Sequence, residues 1–174
     1  MRSLAAELEV APMSLYRYIR DKDDLMDEVV DELLRRSRPE PPAQGAWQHR
    51  IMAGADGLRE LLVTQPAALY VYLRHPVVSP SAIGRMERML DVFRAAGFDE
   101  ASAREAYAVV QTYTIGFAAL EASRAGWTPA EDAGAVAHEL AAFTTPQHFA
   151  SGLRFLLDGL EQSVGPTAAG AGVT

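Results

Sequence analysis

Apolar residues recur along this chain at three- and four-residue intervals, and no stretch alternates polar and apolar positions strictly enough to form a strand. The pattern predicts an all-α protein. From Asp21 to about Arg36 the pairs Leu25/Met26, Val29/Val30 and Leu33/Leu34 return every four residues as one apolar stripe. Asp21, Asp23 and Asp24 suit the positive end of that helix. Two shorter helices are predicted before it, Met1 to Glu9 and Pro12 to Arg20. After it, Arg38 to Gly45 carries three prolines and a glycine, which stop the helix and mark a domain boundary.

Beyond the boundary the spacing predicts helices from Trp47 to Thr64, Pro66 to Leu73, Pro80 to Ala96, Asp99 to Arg124, Pro129 to Phe143 and Pro146 to Val164. Ser79-Pro80, Thr128-Pro129 and Thr145-Pro146 each offer a hydroxyl at the N-cap and proline at the first helical position. Glu131 completes a capping box with Thr128. Gly97 and Gly126 read as C-terminal stops. The expected organisation is a small N-terminal unit over residues 1–38, a larger helical domain over 46–164, and a Gly/Ala tail over 165–174 with too little to bury to be ordered.

Composition changes this picture little. With 174 residues, 49% of them hydrophobic, the chain can bury a proper core. Charge narrows the options more: a net charge of −7 excludes a protein that coats nucleic acid through many lysines and arginines. A small basic tip remains open. Arg2, Arg17, Arg20 and Lys22 face only Glu7, Glu9 and Asp21 within residues 1–22, whereas residues 23–32 hold six acids and no base. The absence of cysteine, of a leader-like apolar run and of a bilayer-length apolar segment makes the cytoplasm the expected location, with no membrane partner.

The informative stretch is Ser3 to Leu34, a short helix, a tight turn, a second short helix and a longer amphipathic one, which is a helix-turn-helix layout. Leu4 and Leu8 lie one turn apart, Ala5 or Ala6 is small enough for the second helix to cross closely, and Val10, Leu15 and Ile19 are expected to close a tiny shared core. The second helix then presents Pro12, Met13, Ser14, Tyr16, Arg17 and Tyr18 outward. A helix of that size fits the major groove of DNA. Taken singly, either tyrosine is better read as an ordinary half-buried aromatic; it is the whole pattern from Ser3 to Leu34 that favours DNA binding.

The run Ser14-Leu15-Tyr16-Arg17-Tyr18 resembles the recognition helix of the tetracycline-repressor (TetR) family, a hydroxyl followed by Leu-Tyr and a mixed aromatic or basic pair. The resemblance implies base-edge contacts from Met13, Ser14 and Arg17, and phosphate contacts from Tyr16, Tyr18 and Lys22; phosphate contacts position a helix and base contacts specify sequence. It also implies a helix ahead of the motif, which this sequence would lack, and a glycine at the turn where Glu9 stands. A left-handed glutamate there would cost roughly 1 kcal/mol.

The resemblance continues through Ala96-Gly97-Phe98 and Thr114-Ile115-Gly116-Phe117 into a ligand-sensing and dimerising domain. Tyr107, Val110, Thr114 and Phe117 lie along one stripe, and Phe149, Leu153, Leu156 and Leu160 along another. Both stripes read as core. They are also expected to meet their symmetry copies in a four-helix bundle, which is how the family dimerises. An effector pocket is expected among the preceding helices, with Tyr72, His75, Met86, Met89, Gln111 and Tyr113 as candidate lining; His75, at a helix end, reads equally as a capping or surface residue. The family's tetracycline binders hold magnesium through a histidine in the segment matching Val77 to Gly84. This chain has none there, so no metal or cofactor is expected and the effector stays unspecified.

Enzymatic signatures fail individually. His138-Glu139 would begin a zinc helix, but Ala142 stands where the second histidine belongs; no nucleophile elbow, phosphate loop or dinucleotide fingerprint occurs. The reading is a non-enzymatic homodimeric regulator of double-stranded operator DNA, a repressor released by a small molecule. The alternative is a dimeric ligand-binding helical module that no longer grips DNA.

Overall fold

The computed structural model describes residues 1–37, 40–130, 132 and 134–163. The tail over 165–174, the boundary residue Arg38, the cap residue Glu131 and the predicted helix end at Val164 lie outside them. Among the described residues all regular structure is helical: α1 (Arg2–Glu7), α2 (Pro12–Leu15), α3 (Lys22–Ser37), α4 (Trp47–Thr64), α5 (Pro66–Arg74), α6 (Pro80–Ala95), α7 (Glu100–Arg124), α8 (Gly134–Ala141), a 3-10 turn (Ala142–Thr144) and α9 (Pro146–Ser163).

The helix ends follow local chemistry. Asp21 caps α3 by accepting from the Asp24 N–H at 2.9 Å, and the Asp24 carboxylate accepts in return from the Arg20 N–H at 2.9 Å. The Arg20 guanidinium hydrogen-bonded to Asp24 holds that carboxyl below its usual range. Ser79 accepts from the Ala82 N–H and starts α6, while Asp99, a cap the sequence reading passed over, accepts from the Ser102 N–H and starts α7. Gly97 and Gly126 end α6 and α7 in left-handed conformations, with φ of +97° and +78°.

Two expectations are corrected. The second helix is regular only over Pro12–Leu15 and then loosens, because the Tyr18 N–H bonds back only three residues, to Leu15, and little of the segment is buried to hold a full turn. The helix expected from Pro129 begins at Gly134 instead, and it is mostly exposed, so packing does not extend it.

The larger domain has two apolar centres. One joins α4, α6, α7 and α9 through Ile51, Met89, Phe93, Val110, Phe149 and Leu153, and Trp47, Phe93 and Phe98 meet ring to ring at 5.2–5.9 Å. The other joins α3, α4, α5 and α7 through Val30, Leu34, Leu58, Leu62, Leu69 and Ala118. Each fully buried Leu or Phe contributes about 1.5–3 kcal/mol of transfer free energy. Between α4 and α7 lies a charged tie. Arg59, only 7% exposed, donates to both oxygens of Glu121 at 2.8–2.9 Å and to Asp56 at 2.9 Å, and its guanidinium sits 5.4 Å from the Phe149 ring centroid. A buried charge so fully hydrogen-bonded meets its desolvation cost.

Candidate functional site

The turn between α1 and α2 is a Schellman motif: the Val10 N–H donates to the Ala5 carbonyl at 3.0 Å and the Glu9 N–H to that of Ala6 at 3.2 Å. It places Glu9 at φ +53°, the left-handed conformation the sequence reading considered for that position. Ala5, 1% exposed, is the contact through which α1 meets α2. Leu4, Leu15 and Ile19 are half-buried beside it. Leu8 and Val10, expected in this small core, are exposed, because the turn carries them past the α1–α2 contact.

The outward set is Met13, Ser14, Tyr16, Arg17, Tyr18 and Lys22, all exposed, with Tyr18 at 82%. Lys22 opens α3. Hydroxyl, aromatic and cationic groups are thus exposed together over residues 13–22, the N-terminal tip.

A cavity of about 530 Å3 opens between α5, the segment after it, α6 and α7. Tyr72, His75, Met86 and Gln111 line it together, and Tyr107, Ile83 and Arg85 complete the wall. Two candidates fall elsewhere. Met89 is fully buried in the apolar centre, its Sδ against Gly54, because it sits one turn too far along α6. Tyr113 points to the opposite side of α7, where its ring stacks on Phe149 at 5.3 Å and its hydroxyl donates to the Phe149 carbonyl at 3.1 Å.

Arg85 is the residue that sequence reasoning missed. It is 3% exposed and donates to the Gln111 amide oxygen at 3.0 Å, the Gly54 carbonyl at 3.2 Å and the Tyr107 hydroxyl. The signal was present: Ala82, Arg85, Met89 and Val92 share one face of α6, so an arginine occupies a core position. Burial pushes the Tyr72 hydroxyl up to about 12 and raises that of Tyr107, so both stay protonated donors near neutral pH.

α3 is tied to a residue of the cavity wall at one point and to the start of α6 at another. His75, which also caps α5, places Nε2 3.6 Å from Asp27 Oδ1, and the Ser81 N–H at the start of α6 donates to Asp31 Oδ1 at 2.8 Å. Burial pushes the Asp31 carboxyl up, but hydrogen bonds from Ser79 and Ser81 outweigh it and leave the group below its ordinary value.

The expected dimer stripes divide differently from the sequence reading. Val110, Thr114, Phe149 and Leu153 are buried inside the single chain, and Tyr107 turns to the cavity. A helix's most apolar stripe is claimed first by its own core, so these positions are corrected to core and cavity. Phe117 packs edge-on to Phe149 at 5.2 Å; Leu156 and Leu160 are half-buried. The exposed apolar residues of α7 and α9 are Val109, Leu120 and Phe155, the last at 75%. Among the described residues no cluster of His, Asp and Glu could hold a metal, and no helix is long and apolar enough to cross a membrane.

An exposed helix-turn-helix tip joined by one helix to a cavity-bearing helical domain is the architecture of one-component transcription regulators. Residues 38–164 match the tetracycline-repressor-like C-terminal domain, and the chain belongs to the TetR family, a family of regulators rather than enzymes. It is 34% identical over 119 residues to the HTH-type transcriptional repressor DrrR1 of Streptomyces coeruleorubidus, covering 68% of this chain and 44% of that protein. It is 31% identical over 134 residues to an HTH-type transcriptional regulator of Saccharopolyspora erythraea, covering 77% and 56%. The chain thus spans about half the length of these relatives. A possible TetR family regulator from Streptomyces coelicolor A3(2) has a similar structure, with a TM-score of 0.76 at 26% identity, covering 93% of this chain and 88% of that one.

Proposed function

We propose that the protein is a dimeric repressor that reads operator DNA through the tip formed by α2 and the start of α3, and that an effector in the α5–α7 cavity releases it. The observation that carries this reading is that α3 belongs to both regions: Lys22 lies in the tip, while Asp27 meets His75 of the cavity wall and Asp31 holds the start of α6. An effector favouring one placement of α5 and α6 over another biases α3 with them, and its differential affinity for the two states sets how far. The names of the two curated relatives, a repressor and a regulator, support the same reading. The dimer contact falls on the exposed faces of α7 and α9, around Leu120, Phe155 and Leu156, and sets two tips about 34–36 Å apart or a multiple of it.

The test is a fluorescence-anisotropy titration against DNA from upstream of its own gene at physiological salt. Specific binding is expected. Arg17→Ala or Ser14→Ala should relax operator choice, whereas Lys22→Ala should weaken all DNA alike and lower the salt dependence. Equal loss on every sequence from Arg17→Ala would remove its base-reading role. Absence of specific retention would leave the ligand-binding module as the better account. Phe155→Glu should give a monomer in sedimentation; an unchanged dimer would move the interface elsewhere.

A further inference from the structure

The cavity's charge pattern restricts what it accepts. Its lining holds Arg74, His75 and Arg85 and no aspartate or glutamate. Arg85 forms the inner wall, and Gln111 and Tyr107, both bonded to its guanidinium, line the cavity beside it. A guanidinium keeps its proton in a protein, so this wall is cationic at every physiological pH. The tyrosines, held protonated by burial, supply donors rather than negative charge. Val78, Ile83, Met86 and Ile115 also line the cavity and offer apolar surface for the body of a ligand. At about 530 Å3 the space falls within the roughly 300–1,000 Å3 of cavities that take drug-sized molecules.

We infer that the effector is an acid: a carboxylate, or a comparably acidic oxygen, carried on an apolar body, with the anionic end on Arg85 and that body against Met86, Ile83 and Ile115. A hydrogen bond from a guanidinium N–H to a carboxylate is charge-assisted and so of the stronger kind. The inference rests on the effector reading of this cavity and adds the charge of the ligand to it.

A matched pair of probes tests it. Calorimetric titration of the full chain with 2-naphthoate and with the uncharged, nearly isosteric 2-naphthamide should give at least ten-fold tighter binding of the acid. Arg85→Gln should remove the preference while leaving the amide's affinity in place, and Arg85→Lys should keep part of it. Ile83→Trp, at an exposed rim position, should weaken both probes and show that they enter here. Because Arg85 is buried and Arg85→Gln can fail to fold, the wild-type ratio combined with Ile83→Trp decides alone. An amide that binds as well as the acid, still excluded by Ile83→Trp, overturns the anionic inference and leaves the effector cavity standing. Failure of both probes to bind overturns both.

Discussion

The two ends of α3 lie in unlike surroundings. Its C-terminal half places Val30 and Leu34 in an apolar centre shared with α4, α5 and α7, whereas α1 and α2 together bury only Ala5. Above α3 stability is cooperative, spread over large interlocked side chains; at the tip it rests on two short helices, a turn and one methyl group. Regions so different in burial open with very different free energies. The tip is held by few buried contacts, while the domain beyond it is held by many.

That contrast can be broken by substitution. Phe93→Ala, in the ring cluster with Trp47 and Phe98, should cost about 3–5 kcal/mol in denaturant unfolding, whereas Leu15→Ala in α2 should cost well under about 1 kcal/mol; similar losses would show that the tip is no softer than the core. Glu121→Gln, which leaves the Arg59 charge buried, should cost about 3 kcal/mol, and a near-neutral result would mean that Asp56 alone satisfies Arg59. Gly152→Ala would drive a methyl group into the Tyr113 hydroxyl, held by Phe149, at about 1–3 kcal/mol. The expected readout is a lowered Tm with loss of the Tyr113–Phe149 contact.

Glu9→Gly acts in the opposite direction and only locally. Relieving a non-glycine at φ +53° should stabilise the tip by about 1 kcal/mol, seen as slower amide exchange in α1 with the main transition unmoved. The smallest effect runs along pH. The Asp31 carboxyl is depressed in the folded chain, so its bond to Ser81 stabilises the α3–α6 contact above the ordinary carboxylate value of about 4 and is lost as pH falls through the depressed one. Asp31→Asn should flatten that acid limb; an unchanged limb would assign it to other carboxylates.

Where a local signal sets an element, the sequence was readable. Trp47–Thr64 appears with its predicted bounds, and Ser79-Pro80 starts α6, where a cap and a proline act within a single turn. Thr128-Pro129 offers the same signal, yet the helix starts at Gly134, since a cap permits a helix and burial decides whether it forms. The cavity was half legible. Tyr72, His75, Met86 and Gln111 come from three elements and meet there, but Tyr113, two residues after Gln111, is turned to the other side of α7 by the helical register and stacks there on Phe149. Arg85 was passed over because residue type suggested surface while its register said core.

α3 is a rod of 16 residues, about 24 Å long, gripped at one end. Swinging such a rod by about 10° at the gripped end carries its free end through about 4 Å, close to the roughly 3.4 Å between successive nucleotides along a DNA strand. On the proposed reading, a displacement of α3 near Asp31 would be enlarged, across one helix, to about one base step at Lys22. The stiffness of the helix, rather than any chain of contacts, fixes that ratio.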